Sequence, residues 1–267
     1  MINEANYKDI VLILRDISDQ ASKKILEIYN SNFKINIKDD NSPLTDADTE
    51  SNRIICSRLG KEFPKIPIIS EENKKKELNV ANYFLVDPLD GTKEFISRNG
   101  EFTVNIALVL RNQPILGVIQ IPTQKTQYFS DGFFSFKYDG KLKKIHSEGN
   151  NNKLIILSSR SHLDTITEKI VNKFKDAEIK RVGSSIKFCY LAEGKADIYL
   201  RNGKTMCWDV AAGIAILKTA GCQIKNLDLG EFALNKKNFF NESFICFRDN
   251  FPSNKLALIS KQYNKNY

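Results

Sequence analysis

Two carboxylates stand three residues apart at the end of an apolar segment, at Asp87 and Asp90. The four residues before Asp87 predict a buried strand, and the proline after Asp87 ends it because proline has no N–H to donate. Gly91 and Thr92 then turn the chain, so that backbone N–H groups and a hydroxyl face the same point as the two acids. Carboxylates beside N–H donors suit a hard divalent cation and the phosphate that it polarises. Ordinary turn residues between a strand and a helix would also explain the segment.

Two further acidic segments favour the metal interpretation. Glu71 and Glu72 follow the short apolar run 65–69, and Asp209 opens the apolar, helix-like stretch 210–217. Taken singly, Asp209 fits an N-cap and the glutamates fit a solvated pair. Three acidic segments, each at the mouth of an apolar element, together predict a shared cation site.

These segments match the motifs of a known family. Ser70-Glu-Glu, Asp87-Pro-Leu-Asp-Gly-Thr-Lys-Glu-Phe and Trp208-Asp-Val-Ala-Ala-Gly resemble the inositol monophosphatase-like, magnesium-dependent, lithium-sensitive phosphatases. The resemblance runs from Ser42 to about Phe247. Within the superfamily the chain is most similar to the bacterial 3'(2'),5'-bisphosphate nucleotidases. Simple monophosphatases tend to have Thr-Asn-Phe where this chain has Thr-Lys-Glu-Phe, and the segments 99–107, 159–162 and 183–188 also point to the nucleotidases.

The resemblance implies an α/β (α+β) fold, a layered αβαβα sandwich of the inositol monophosphatase/fructose-1,6-bisphosphatase type. Residues 1–150 would form an N-terminal α+β half with most metal ligands, and residues 151–267 a C-terminal α/β half with Asp209 and the nucleotide-binding side. The residue pattern independently predicts helices at 4–31, 46–63, 162–174, 184–193 and 209–220. It predicts strands at 66–70, 83–87, 103–110, 115–121, 127–130, 133–138, 154–157, 178–182, 196–200 and 222–225, and a frayed tail over 261–267.

The family match assigns the metal ligands. Glu71, Asp87, Asp90 and Asp209 match its carboxylate ligands, and Leu89 matches the position that ligates through its backbone carbonyl. All-oxygen ligation fits Mg²⁺, in two or three ions as the family implies. Zinc is disfavoured, because the chain has only two histidines and no Cys-x-x-Cys. Without a cation, the clustered carboxylates should repel one another and have raised pKa values.

Catalysis is expected to be direct attack of a metal-activated water on phosphorus. By resemblance, Thr92 and Asp46 form the hydroxyl–carboxylate pair that takes the proton of this water, and Glu72 orients a second water. The backbone N–H groups of Gly91 and Thr92 would hold the phosphate. Asp46 also fits the plain start of a helix.

A nucleotide bisphosphate carries a second phosphate, which cationic and hydroxyl side chains must hold away from the metals. Residues on segments that resemble the nucleotide-binding half of the nucleotidases are Arg160, His162, Ser184, Lys187 and Arg201. A serine N-cap with a solvated lysine would also explain the pair at 184 and 187, and His162 could equally cap a helix.

The leading hypothesis is therefore a 3'(2'),5'-bisphosphate nucleotidase that converts adenosine 3',5'-bisphosphate to AMP and phosphate. An inositol or sugar monophosphatase is the alternative, and a non-enzymatic protein that kept the fold is the weakest hypothesis. Lithium sensitivity and a link to sulfur metabolism follow from the resemblance alone.

The amino-acid composition limits which binding partners and which cellular location we expect. The net charge is +8, but the lysines are scattered and form no basic tail, so a polymeric nucleic acid is not expected as a partner. The five cysteines are odd in number and scattered, which is typical of a reducing compartment. We see no signal peptide and no transmembrane segment, so we expect a cytoplasmic monomer or homodimer. Peripheral attachment to the inner face of the membrane stays open, although no basic amphipathic helix supports it.

Overall fold

The computed structural model describes residues 2–38, 42–73, 80–149, 153–161, 165–234 and 237–265. Seven α-helices occur in these ranges: α1 Tyr7–Tyr29, α2 Asp46–Glu62, α3 Thr92–Ile96, α4 Thr165–Val171, α5 Ile186–Ala192, α6 Cys207–Thr219 and α7 Ser253–Asn264. The start of the predicted helix 162–174 lies outside the described residues.

The strands form two large sheets and two short ribbons. Those of the first half are β1 Ile35–Ile37, β2 Pro43–Thr45, β3 Ile68–Ser70, β4 Tyr83–Asp90, β5 Thr103–Leu110, β6 Gln113–Ile121, β7 Thr126–Ser130, β8 Ser135–Tyr138 and β9 Leu142–Ile145. Those of the second half are β10 Ile155–Ser159, β11 Glu178–Val182, β12 Ile198–Arg201, β13 Thr205–Met206, β14 Cys222–Asn226, β15 Phe240–Asn241 and β16 Phe244–Arg248. The ribbons are β1–β2 and β13–β15.

The first sheet has seven strands in the order β3-β4-β5-β6-β7-β8-β9. Strand β3 is parallel to β4, and every later pair is antiparallel. Helices α1 and α2 cover one face of this sheet. The α1 sequence repeats apolar residues at helical spacing, so its inward stripe is buried: Ile10, Leu14, Ile17, Ala21 and Ile25. This stripe packs on side chains that alternate along the strands, such as Phe84 and Val86 of β4.

The second sheet has five strands in the order β11-β10-β12-β16-β14. Its first three strands are mutually parallel, whereas β16 pairs antiparallel with both β12 and β14. The outer face carries Ile156, Ile198 and Phe247, and it is covered by apolar residues of α4 and α7 such as Ile170 and Ile259.

Helices α5 and α6 lie between the two sheets. Helix α6 is buried almost all round, as expected for a helix without a polar face. Its contact with β6 depends on Gly117, where an added Cβ would lie 2.4 Å from the carbonyl oxygen of Ala212. The layers therefore run α1/α2, seven-stranded sheet, α5/α6, five-stranded sheet, α4/α7. This confirms the predicted αβαβα sandwich.

Helix α7 extends through Asn264, so the predicted frayed tail is wrong over residues 261–264. The division at residue 150 remains a prediction, although the seven-stranded sheet ends at Ile145 and the five-stranded sheet begins at Ile155.

In the described ranges, no helix has the length and apolar character that crossing a membrane requires.

Candidate active site

A bulge in β4 brings Asp87 and Asp90 to the same cleft. In a regular strand, residues three apart face opposite sides of the sheet. Here Asp87 pairs with Asn105 and Asp90 pairs with Thr103. The two paired residues are three positions apart on β4 but only two positions apart on β5, so β4 contains one extra residue. The extra residue reverses the alternation after Asp87. Both carboxylates therefore lie at the carboxyl end of β4.

Glu71, Asp87 and Asp209 form the centre of the site. One carboxylate oxygen from each residue lies within 4.8 Å of those from the other two. Glu71 follows β3 directly, and β3 is the parallel neighbour of β4. Asp209 lies in the first turn of α6, where its Oδ2 accepts a hydrogen bond from the N–H of Met206 at 2.8 Å. Three elements distant in sequence thus supply one cluster.

The cluster is electrostatically unfavourable without a cation. Burial raises the pKa of Asp87 well above its usual value, and the charges of Glu71, Asp90 and Asp209 raise it further. Burial and the charges of Asp90 and Glu71 likewise raise the pKa of Asp209 well above its usual value. Burial also raises the pKa of Asp90, although Lys187 and a hydrogen bond from Ser184 oppose that shift. A bound divalent cation would remove this repulsion.

The donor chemistry fits Mg²⁺. The three clustered side chains offer hard carboxylate oxygens, and Asp90 stands beside them in the cleft. Leu89 is buried, and its carbonyl oxygen accepts a hydrogen bond from the Thr92 hydroxyl at 3.3 Å. The structure thus places all five predicted ligands at the end of β4 or against it. Their role as ligands remains a prediction.

The predicted partner of Thr92 is wrong. The Thr92 hydroxyl donates to Asp48 Oδ1 at 3.1 Å, whereas Asp46 is exposed and accepts from the backbone N–H of Lys34 at 3.2 Å. Asp48 is the third residue of α2, and its Oδ2 accepts from both the N–H and the hydroxyl of Thr45, at 2.7 and 2.6 Å. This capping box turns Asp48 into the protein. Burial raises the pKa of Asp48 above its usual value, against the effect of these hydrogen bonds.

Lys38 is a site residue that the sequence analysis missed. Its ammonium donates to Glu71 Oε1 at 2.9 Å and to Glu72 Oε1 at 2.5 Å. Burial raises the pKa of Glu72 to about 7, although its bond with Lys38 works in the opposite direction. The sequence signal is weak, because one lysine before a polar loop looks like any solvated lysine.

Gly91 and Thr92 line the cleft beyond the bulge. Gly91 is the N-cap of α3 and has φ +90°, a conformation that favours glycine. An added Cβ at this position would lie 3.0 Å from the carbonyl oxygen of Glu101 and 3.3 Å from Cβ of Ser184. The backbone can therefore pass close to the cleft only without a side chain here.

Two basic side chains, Lys187 and Arg201, line the same cleft as Asp90 and Asp209. Lys187 is buried, and its ammonium donates to the carbonyl oxygens of Val182, at 3.0 Å, and Ser184. Burial lowers the pKa of Lys187 to about 8, although the charge of Asp90 opposes that shift. Arg201 ends β12 and donates to the carbonyl oxygen of Lys204 at 3.1 Å.

The Ser184 hydroxyl joins the turn after β11 to the end of β4. It donates to Asp90 Oδ2 at 2.7 Å, and the N–H of Ser185 donates to the same oxygen at 2.6 Å. Ser185 also donates to Asn105 at 2.7 Å, and its hydroxyl lies 2.7 Å from that of Thr103. This buried hydroxyl network, which the sequence analysis did not anticipate, holds the turn after β11 against β4 and β5.

Arg160 and His162 were both predicted to bind substrate, but the structure describes only Arg160. The Arg160 guanidinium binds Glu101 through two hydrogen bonds of 2.6 and 2.7 Å, which engage its Nε and Nη2 groups. Its role in substrate binding remains a prediction. His162 lies outside the described residues.

A cavity of about 270 Å³ is lined by both acidic and basic side chains. The acidic residues are Glu71, Asp90 and Asp209, with Gly91 and Thr92 also in the lining, and the other polar residues are Ser184, Lys187, Arg201 and Lys204. The site thus offers both oxygen ligands and cations, which suits a phosphorylated molecule bound with a divalent metal.

The comparison with known proteins defines the class. The profile of the inositol monophosphatase family matches residues 7–263. The chain belongs to the inositol monophosphatase family and is a phosphatase of that fold.

Among its relatives are the 3'(2'),5'-bisphosphate nucleotidases CysQ. The chain is 42% identical to the protein of this name from Buchnera aphidicola over 238 residues, which is 85% of this chain and 89% of the relative. It is 38% identical to that of Escherichia coli K12 over 214 residues, or 78% and 87% of the two chains. The crystal structure of CysQ from Bacteroides thetaiotaomicron superposes with a TM-score of 0.81 at 36% identity, covering 91% of this chain and 98% of that one.

Proposed function

We propose that this phosphatase removes the 3'-phosphate of adenosine 3',5'-bisphosphate with Mg²⁺, giving AMP and phosphate. The single observation that carries the proposal is the lining of the cavity. Carboxylates for the metal and the reacting phosphate line it together with two basic side chains, Lys187 and Arg201. A substrate with two phosphates can use both sets of residues, whereas a monophosphate needs only the acidic set. The similarity to the nucleotidases named CysQ supports the same assignment.

Glu71, Asp87, Asp90 and Asp209, with the carbonyl of Leu89, would hold Mg²⁺. When bound, the metal would supply Lewis-acid stabilisation of the phosphoryl oxygens and acidify a water. The pKa values of Asp87 and Asp209 are raised, so binding of the metal would release protons from them.

Asp48 and Thr92 would remove the proton of the attacking water. Thr92 Oγ lines the cavity and donates to Asp48 Oδ1, so the hydroxyl can accept a proton from water as it passes its own to Asp48. The raised pKa of Asp48 suits an acceptor that must hold this proton. Glu72, fixed by Lys38, would orient the second water, which protonates the leaving 3'-oxygen.

The backbone N–H groups of Gly91 and Thr92 would hold the reacting phosphate, while Ser184, Lys187 and Arg201 would hold the 5'-phosphate. Arg201 is partly exposed at the cavity wall and offers guanidinium N–H groups of fixed geometry. Hydrogen bonds between charged groups are worth about 1.5–3 kcal/mol, which is enough to dominate the choice between bisphosphate and monophosphate.

The test is phosphate release with Mg²⁺ from adenosine 3',5'-bisphosphate and from inositol 1-phosphate, measured as kcat/KM. We expect a preference of about 100-fold or more for the nucleotide in the wild type. The Arg201→Ala variant should lose about 10-fold or more on the bisphosphate and much less on the inositol ester. The control is Arg111→Ala, because Arg111 lies in the turn between β5 and β6.

A preference for the inositol ester would instead establish the monophosphatase alternative. Equal losses of Arg201→Ala on both substrates would contradict the second phosphate site. A wild type that hydrolyses neither substrate would contradict the proposed function.

All five cysteines are free thiols, and four of them are buried. A reducing compartment such as the cytoplasm suits them, and we propose that location.

A further inference from the structure

The turn Gly183–Lys187, which follows β11 and includes the first two residues of α5, is held by several side-chain hydrogen bonds. The Arg160 guanidinium donates to the carbonyl oxygen of Arg181 at 2.8 Å, just before the turn. The N–H of Gly183 donates to Glu101 Oε2 at 2.7 Å. Lys187 closes the turn by donating to the carbonyl oxygens of Val182 and Ser184. The turn carries two of the residues proposed for the 5'-phosphate.

This turn is locally strained. Ser184 has φ +53°, which is unfavourable for a residue with a side chain. Such a conformation costs on the order of 1 kcal/mol and persists only where the surroundings impose it. In this conformation the Ser184 hydroxyl reaches Asp90 while its carbonyl oxygen accepts from Lys187.

Glu101 and Arg160 belong to different parts of the chain and meet beside the turn. Glu101 precedes β5, and Arg160 follows β10. Arg160 Nε donates to Glu101 Oε2 at 2.6 Å and Nη2 donates to Oε1 at 2.7 Å, a two-bond geometry that fixes both planes. Glu101 Oε2 thereby accepts from Arg160 and Gly183 at once.

We propose that the Glu101–Arg160 pair is a clasp that positions the turn Gly183–Lys187 and so determines the preference for substrates with a second phosphate. The inference rests on the proposed function. Glu101 and Arg160 are positioning residues, because Arg160 uses its Nε and Nη2 on Glu101 and Arg181.

The clasp and a direct Arg160–phosphate contact predict opposite results for one variant. Under the clasp, Glu101→Gln removes the carboxylate charge and leaves one acceptor oxygen for Arg160 and the N–H of Gly183, so the turn is held less firmly and binding of the second phosphate weakens. If Arg160 bound that phosphate directly, the same variant would free its guanidinium from a competing carboxylate, and binding would improve or stay unchanged.

The experiment measures kcat/KM for adenosine 3',5'-bisphosphate and for adenosine 3'-monophosphate in wild type, Glu101→Gln, Arg160→Met and the double variant. The ratio of kcat/KM for the bisphosphate to kcat/KM for the monophosphate should fall about 5- to 20-fold in each single variant. The double variant should lie within about twofold of the single variants, because the two residues act through one contact. The Kd of AMP, measured by calorimetry, should rise in parallel with KM for the bisphosphate.

The control is Lys180→Met, which removes a cation from the same strand β11. Lys180 pairs with Glu178 at 3.5 Å on the surface, and both side chains are exposed. This variant should leave the ratio unchanged. If Glu101→Gln fails to fold, Arg160→Met and Arg160→Lys carry the test: lysine keeps the charge but cannot form two parallel bonds, so both should lower the ratio.

The outcomes separate the two proposals. A wild type without preference for the bisphosphate overturns the proposed function and the clasp together. A clear preference that Glu101→Gln leaves unchanged or increases overturns the clasp alone. Additive losses in the double variant overturn it as well, since they mean that the residues act independently.

Discussion

At the scale of the residue, the two aspartates at the start of α2 have different environments. Asp48 is buried and bonded to Thr92, whereas Asp46 is exposed and bonded to a backbone N–H. Asp48→Asn should therefore lower kcat at least about 100-fold, the usual contribution of a general base, while Asp46→Asn should stay within about threefold of wild type. Steady-state kinetics on the preferred substrate would measure this. The two variants are matched controls for each other, because each removes one charge from the same helical turn.

Thermal unfolding would show whether Asp48→Asn still folds, and asparagine can still accept from the N–H of Thr45. Equal activity of the two variants, or a larger loss in Asp46→Asn, would contradict the assignment of Asp48.

The sequence contained the information that selects Asp48. Asp48, Ser51, Ile55 and Leu59 are spaced as one helical face, and all four are buried. Asp46 lies about 200° around the helix from Asp48, on the solvent side. The family motif located the region, but only the helical period shows which acid turns inward. Lys38 and Glu101 had no such signal, because both depend on partners that are distant in sequence.

At the scale of the element, most strands of the two large sheets were predictable, whereas the two short ribbons, strand β16 and helix α7 were not. Strands Thr103–Leu110 and Glu178–Val182 occur with the predicted bounds. Strand β16 was missed because its place depends on pairing with β12 and β14, which lie about 20–45 residues earlier. Helix α7 was missed because it buries only Ile259 and Ser260, so its periodic pattern is weak.

Glu193, at the end of α5, joins the middle helices to the seven-stranded sheet. It accepts from the Tyr128 hydroxyl at 2.7 Å and from the ammonium groups of Lys137 and Lys195 at 3.0 and 2.8 Å. Burial alone would raise the pKa of Glu193, but these bonds lower it. Glu193→Gln should therefore reduce the free energy of unfolding by about 1–3 kcal/mol at neutral pH. Urea unfolding would measure the change.

The matched control is Glu178→Gln, which removes an exposed carboxylate that also pairs with a lysine. Its effect should stay below about 0.5 kcal/mol. A Glu193→Gln variant as stable as this control would show that the contact between the layers contributes nothing.

At the scale of the whole molecule, the acidic cluster joins the seven-stranded sheet to α6, so its charge state should affect global stability. Burial and mutual repulsion raise the pKa values of Asp87 and Asp209, and burial raises that of Glu72 to about 7. The metal-free folded protein therefore holds protons that the unfolded chain has released, from about pH 4 upward. Stability falls with rising pH wherever the folded state binds more protons.

We accordingly expect metal-free wild type to lose stability relative to Asp209→Asn as the pH rises from about 5 to about 7.5. At the higher pH, Asp209→Asn without metal should melt about 2–6 °C above wild type, because it removes one repelling charge and its side-chain oxygen can still accept from Met206. Asp19→Asn is the control, because Asp19 is an exposed partner of Lys23 outside the cluster. Its difference from wild type should be small and nearly independent of pH.

Magnesium should reverse the order of the melting temperatures of wild type and Asp209→Asn. Mg²⁺ bound at the cluster would replace the protons and stabilise the folded state, so the wild-type Tm should rise more at about pH 7.5 than at about pH 5. Asp209→Asn should gain much less, because one of the proposed ligands, between the sheet and α6, is gone. Thermal unfolding with a chelator and with about 10 mM Mg²⁺ tests both parts. Equal magnesium shifts in wild type and Asp209→Asn would mean that the cluster does not hold the metal, even if the enzyme requires one.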